Sequence, residues 1–239
     1  MATSSKSVSM TQGPLLSVLL RVAWPITITN LAQASFDIVN AFWVGRLGEA
    51  AIAAVTASGP LFFVLIGLGS GLATAGAVLI AQNMGAKRLD QIDHVAAQTL
   101  LMVGMVALGF TLAGAFSTSA VLTLIGVEPG IHAQAVDYLH IRFIGMIPMF
   151  GFMAMQAMLQ AAGEVRFAMK VQIGSVAANA LLDPLLIFGV GPFPALGVTG
   201  AALATVLVQI GALLVLLHHL LSGRSALHLH RAHFRPDWS

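Results

Sequence analysis

The chain reads as long apolar runs separated by short breaks of glycine, proline or charge. Six runs can be marked, at roughly residues 15–44, 52–83, 95–116, 138–162, 169–190 and 196–221. The breaks fall at 45–49, 85–88, 126–130, 163–166 and 189–194, and each carries turn-forming glycine. A helix needs about 20 apolar residues to cross the hydrocarbon core of a bilayer, and every run reaches that length. The pattern predicts an all-α integral membrane protein, a six-transmembrane-helix bundle. The first, second and fourth runs are long enough to tilt or to project beyond the hydrocarbon.

Composition sharpens that picture. The 239 residues are 58% hydrophobic and only 8% charged, with a mean hydropathy of +0.91. There is no cysteine, so disulfides and thiolate metal sites are excluded. A formal net charge of +2, with basic residues at the ends of runs and no basic stretch interleaved with aromatics, argues against nucleic acid. The first run is too long for the core of a signal peptide and is read as a membrane span.

Lys and Arg set the orientation. Lys6, Arg21, Lys87, Arg88, Arg166, Lys170, Arg224, Arg231 and Arg235 collect on one side. The other side has Arg46, and Arg142 near the start of the fourth run. By the positive-inside rule both termini are cytoplasmic, which fits an even number of spans. The expected layout is a cytoplasmic tail at 1–13, a six-helix transmembrane lobe at 14–222, and a cytoplasmic linker or tail at 223–239.

Candidate chemistry lies where polar groups interrupt the apolar runs. In the first run Asn30, Gln33, Asp37 and Asn40 are spaced by three, four and three residues. That spacing places them on one helix face, within about 80°. Pro25 removes a donor one turn earlier and frees the carbonyl of Arg21. Amides can simply join helices by hydrogen bonds, and for Asn30 and Gln33 that reading stays open beside a cavity-lining one. An aspartate at bilayer depth is more demanding, because it must face a protein interior, bind a cation or take up a proton. In the fifth run Asn179 and Asp183 are four residues apart and meet on one face, while Pro184 leaves the carbonyl of Ala180 without a donor. Amide oxygen, carboxylate and free carbonyl then converge within one turn, a plausible site for a proton or a Na⁺-like ion. The competing reading is a proline kink with Asp183 satisfied by a neighbouring helix.

Other features carry less. Met146, Met149, Met153, Met155 and Met158 crowd the fourth run with Gln156 and Gln160. Thioethers suit adaptable pockets, so Met153 and Gln156 join Asn30 and Gln33 as substrate-cavity candidates, although packing explains most such methionines. Gly67, Gly69 and Gly71, with Ala73, Ala75 and Ala77, make the second run smooth enough for close helix approach. His218, His219, His228, His230 and His233 lack acidic partners at ligand spacing and are read as solvated or interfacial; no structural metal and no cofactor is expected.

Three ordered segments carry a family likeness: 42–48 (Phe-Trp-Val-Gly-Arg-Leu-Gly) after the polar first run, 76–86 around Gln82-Asn83-Met84-Gly85, and 179–189 with Asp183-Pro184, followed by 197–205. In that order they resemble the multidrug and toxic compound extrusion (MATE) transporters, particularly the DinF-like bacterial branch. The likeness runs from about residue 15 to the C-terminus. It implies secondary active efflux of small organic, often cationic, compounds in exchange for H⁺ or Na⁺, from a bacterial inner membrane. It also implies twelve spans in two six-helix lobes around a central cavity, so this chain corresponds to the N-terminal lobe. By the resemblance Asn179 and Asp183 belong to the cation site. The first-span aspartate of relatives falls at Asn40 here, with Asp37 one turn earlier on nearly the same face. The expected partners are membrane lipid, substrate, and a second lobe supplied by a missing C-terminal half or a homodimer partner.

Three alternatives remain. The chain is alternatively a non-transporting fragment, a half-transporter needing a partner lobe, or an intramembrane enzyme. The last is disfavoured: Ser70 between Gly69 and Gly71 lacks the Gly-x-Ser-Gly spacing and an evident base, and Asp183 lacks the Gly-x-Gly-Asp context of a membrane aspartyl protease.

Overall fold

The computed structural model describes residues 15–127, 129–189, 194–223 and 225. The expected tail at 1–13, Lys6, Arg224, and the linker segment with His228, His230 and His233 lie outside the described residues. Eight α-helices run in order: α1 (Leu15–Gly45), α2 (Glu49–Ala57), α3 (Gly59–Gly85), α4 (Leu89–Ile125), α5 (Pro129–Ile144), α6 (Met146–Ala161), α7 (Val165–Phe188) and α8 (Val198–Leu221). No strand occurs among the described residues.

The helices group into six rods that correspond to the six apolar runs. The α2–α3 pair forms one rod, interrupted at Ser58, and α5–α6 another, bent by 45° at Gly145. By length and composition, α2–α3, α4, α7 and α8 can cross a membrane, and the bent α5–α6 pair makes five. The sixth rod, α1, spans 31 residues, and the polar stripe dilutes its apolar character. Side chains such as Phe63, Phe116 and Leu124 face outward almost fully exposed, as a lipid-facing surface requires.

Inside, α3, α4 and α6 pack together, α1 lies along α7, α7 along α8, and α5 and α6 both meet α8. Two buried clusters stack along the bundle. One, with Val44, Leu122, Leu139, Met146 and Val198, fills the end bearing the Arg46 turn. The other, with Ile80, Ile92, Met158, Ala168 and Leu216, fills the end bearing Lys87 and Arg166. Burial in this setting is van der Waals packing, since lipid is as apolar as leucine.

Small residues set the closest approaches, though not all those the sequence offers. In α3 the buried stripe is Gly69, Ala73, Gly76 and Ile80, at helical spacing. A Cβ at Gly69 would strike the Phe150 ring, whereas Gly67 and Gly71 face open space. The glycine-every-second-residue pattern therefore splits between two faces, and only one is an interface. At Gly200 a Cβ would collide with the Leu186 carbonyl, so α7 and α8 touch backbone to backbone there.

One expectation is corrected at the basic end of the bundle. His219 is not solvated: its Nε2 lies 2.6 Å from Glu164 Oε2, and its ring stacks on Phe167 at 3.8 Å. Ser225 Oγ donates to Glu164 Oε1 at 2.6 Å. The sequence hid this partner because Glu164 is 55 residues away from His219. The cluster ties the α6–α7 turn to the end of α8.

Candidate functional site

Two polar regions occur within the bundle, and they differ in kind. The first is sealed. Asn179 and Asp183 are both wholly buried in α7, four residues apart, and Asn179 Nδ2 donates to Asp183 Oδ1 at 3.1 Å. This contact is what helical spacing dictates. It leaves Asn179 Oδ1 and Asp183 Oδ2 without a hydrogen-bond partner among the described residues. A buried polar atom left unpaired costs about 1–3 kcal/mol, more if charged. Both orphaned atoms are oxygens, the ligand type that hard cations and protons seek. Pro184 stands inside α7 on the same turn and cannot donate to the Ala180 carbonyl.

The second region is an open cavity of about 410 Å³, lined by residues that include Thr29, Asn30, Gln33, Phe36, Asp37, Arg142, Met149, Phe152, Met153, Gln156, Gln172 and Gln209. All four residues expected to line a substrate cavity, Asn30, Gln33, Met153 and Gln156, lie on its wall. A continuous amide chain crosses it. Gln156 Nε2 donates to Gln172 Oε1 at 3.0 Å, Gln172 Nε2 to Gln33 Oε1 at 3.0 Å, and Gln33 Nε2 to Asp37 Oδ1 at 3.3 Å. The chain stitches α6 through α7 to α1 and ends on the carboxylate. Met146, Met155 and Met158 are buried packing, so only Met149 and Met153 of the methionine group reach this cavity.

The residues grouped in sequence as one coupling set do not form one hydrogen-bonded group. Asp37 belongs to the open cavity and also faces a smaller recess with Asn40 and Thr56. Asn40 Nδ2 donates to the buried Thr205 of α8 at 3.4 Å. No hydrogen bond joins Asp37 or Asn40 to Asn179 or Asp183 among the described residues.

Five participants, Gln172, Ser175, Thr205, Gln209 and Arg142, were not singled out from sequence, and each had a signal. Gln172, Ser175, Asn179 and Asp183 follow the same three-four spacing in α7 as the stripe in α1. Thr205 and Gln209 repeat it in α8. Arg142 was placed near the start of a span because the apolar run begins at about 138. The helix begins at Pro129, so Arg142 lies far along it, three residues before the bend at Gly145.

Residues 25–185, more than half of the chain, match the MatE family profile. The "Probable multidrug resistance protein YoeA" of Bacillus subtilis (strain 168) is 33% identical over 197 residues, covering 82% of this chain and 42% of that protein. A protein named "FAD transporter" from Shewanella oneidensis is 29% identical over 243 residues, 95% of this chain and 51% of that one. A solved outward-facing conformation of a multidrug resistance MATE family transporter superposes with a TM-score of 0.89 at 24% identity, covering 99% of this chain and 52% of that chain. The last likeness concerns the fold. This chain spans about half the length of the relatives it matches.

Proposed function

The chain belongs to the MATE family, and on that premise we propose that it is the N-terminal lobe of a secondary active efflux transporter exchanging small organic compounds for H⁺ or Na⁺. It is a multi-pass membrane protein, and its relatives are transporters rather than enzymes. The proposed setting is the bacterial inner membrane with both termini cytoplasmic. In this reading a second lobe, from a C-terminal half or a second copy, closes the cavity.

The observation that carries the reading is the sealed Asn179–Asp183 pair with its two orphaned oxygens. Packing alone does not require a carboxylate there, and an apolar side chain would not leave oxygens unpaired. One carboxylate balances one proton or one monovalent cation. Binding that charge removes the cost of the orphaned atoms and stabilises whichever arrangement of α7 about Pro184 holds it best. The ion then shifts the balance between transporter states by its differential affinity for them. The open cavity, with its amide chain and the Phe36, Phe152, Met149 and Met153 walls, suits a flat organic solute.

The test is coupled dye export from proteoliposomes that contain the whole transporter, under an imposed Na⁺ or pH gradient. Asp183→Asn is expected to abolish coupled export while remaining inserted and folded. Export at the unmodified rate by that variant would remove Asp183 from the mechanism.

A further inference from the structure

The open cavity contains a charge that the efflux reading does not use. Arg142 lines it from α5 and is half-buried. Counted along the helix at 1.5 Å per residue, it stands about 20 Å from the outer start of α5 and nearly 30 Å from the far end of α6. That places it within the rod, well away from both of its ends. An arginine there is costly unless it faces protein or a polar cavity and has a partner.

The partners in this lobe are incomplete. The guanidinium carbon sits 4.8 Å from the centre of the Phe62 ring, a cation–π contact that covers one face. Among the described residues Arg142 forms no ion pair and no hydrogen bond. The five N–H donors of a guanidinium lie in its plane, and a ring over its face satisfies none of them. Asp37 is the one carboxylate on the cavity wall, and it takes its hydrogen bond from Gln33 instead. A fixed positive fork and a carboxylate thus look into one cavity, near enough to feel each other's charge but without a hydrogen bond between them. The Phe62 contact also holds the fork in place, so little ordering is lost when it binds an oxyanion.

We propose that Arg142 receives an acidic group of the transported compound, a carboxylate or phosphate, on a planar apolar body, so that the cavity prefers amphoteric or anionic solutes to permanent cations. The claim rests on the reading of this cavity as the substrate site. A planar fork matches an oxyanion with two parallel bonds. Phe36, Phe152 and Met153 give the apolar walls, and the Gln156–Gln172–Gln33 chain supplies amide groups for the polar edge. Asp37 then meets any amine on the same molecule.

The test uses the chain held in lipid nanodiscs and two rhodamine dyes, identical except that one keeps a free benzoate and the other carries its methyl ester. Binding is read by fluorescence anisotropy. The acid should bind about tenfold tighter than the ester, the scale of a charge-assisted pair. Arg142→Gln should bring the two close to parity by weakening the acid alone. Arg142→Lys, which keeps the charge without the fork, should retain part of the preference. Unchanged selectivity in Arg142→Gln would overturn this inference while leaving the cavity as a substrate site. Equal loss of both dyes in Arg142→Lys would also overturn it, since that marks a structural role. Failure of both dyes to bind the unmodified chain would overturn the cavity reading along with it.

Discussion

Asp37 and Asp183 look alike in the sequence, each a lone carboxylate in an apolar run, and the fold puts them in opposite circumstances. Asp183 is wholly buried, is hydrogen-bonded to Asn179 alone among the described residues and leaves an oxygen unanswered. Asp37 faces an open cavity at the end of a chain of three glutamines, opposite an arginine. A sealed acid with an orphaned oxygen can bind little more than an ion. An acid on the wall of a cavity of about 410 Å³ can meet a molecule. The two sites share α7, through Gln172 and the Asn179–Asp183 pair, so one helix can feel both occupants.

The largest effect is expected at Asp183. Asp183→Asn should remove saturable ion binding altogether. It should hold or raise thermal stability, because an amide beside Asn179 carries no charge to compensate. A melting scan of the nanodisc-held chain checks the second half, and a fall of several degrees would contradict it. A nearly equal effect is expected from Gly200→Val, which forces α8 off the Leu186 carbonyl and opens the seal over α7. The expected cost is about 1–3 kcal/mol, as for other overpacked contacts. Limited proteolysis should then show a loosened lobe, and unchanged resistance would mean that the α7–α8 contact is not tight.

Smaller effects sharpen the open side. Gln172→Leu breaks the amide chain in the middle and leaves Gln33 Oε1 and Gln156 Nε2 without their partner. Dye affinity should fall by about three- to tenfold, the scale of one or two hydrogen bonds, with ion binding retained. Anisotropy titration and an ion-binding assay on the same sample decide it. The smallest change is expected at the basic end, where Glu164→Gln keeps the shape but weakens the contact with His219. Both binding activities should stay within about twofold, with a stability loss near 1–2 kcal/mol. A large loss of dye binding there would show that the basic end reaches the cavity.

Much of this was legible in the chain. The six rods follow from run length and the glycine-marked breaks, and the Asn179–Asp183 contact follows from a four-residue spacing. The stripe in α1 likewise brings Asn30, Gln33 and Asp37 to one cavity. What was not legible depends on which helices meet. Nothing local tells Asn40 that Thr205 lies across from it, 165 residues on, or Gln33 that Gln172 does. The place of Arg142 along its rod was hidden because α5 opens with a polar turn, Pro129 to Asp137, which reads as a link rather than as helix. Glycines at two-residue spacing looked equivalent in α3, but a helix turns them to different faces, and only Gly69 meets a neighbour.

The division of labour between the two aspartates is tested most directly by measuring ion and dye binding side by side in Asp183→Asn and Asp37→Asn. The ion is followed as radioactive Na⁺ bound at equilibrium and, for proton coupling, as the infrared carboxyl band appearing on a pH jump. Asp183→Asn should lose the ion signal and keep dye affinity within about twofold. Asp37→Asn should keep the ion signal and lose dye affinity by about tenfold, the scale of one charged hydrogen bond. Loss of the ion signal in Asp37→Asn, with Asp183→Asn still binding the ion, would contradict the account.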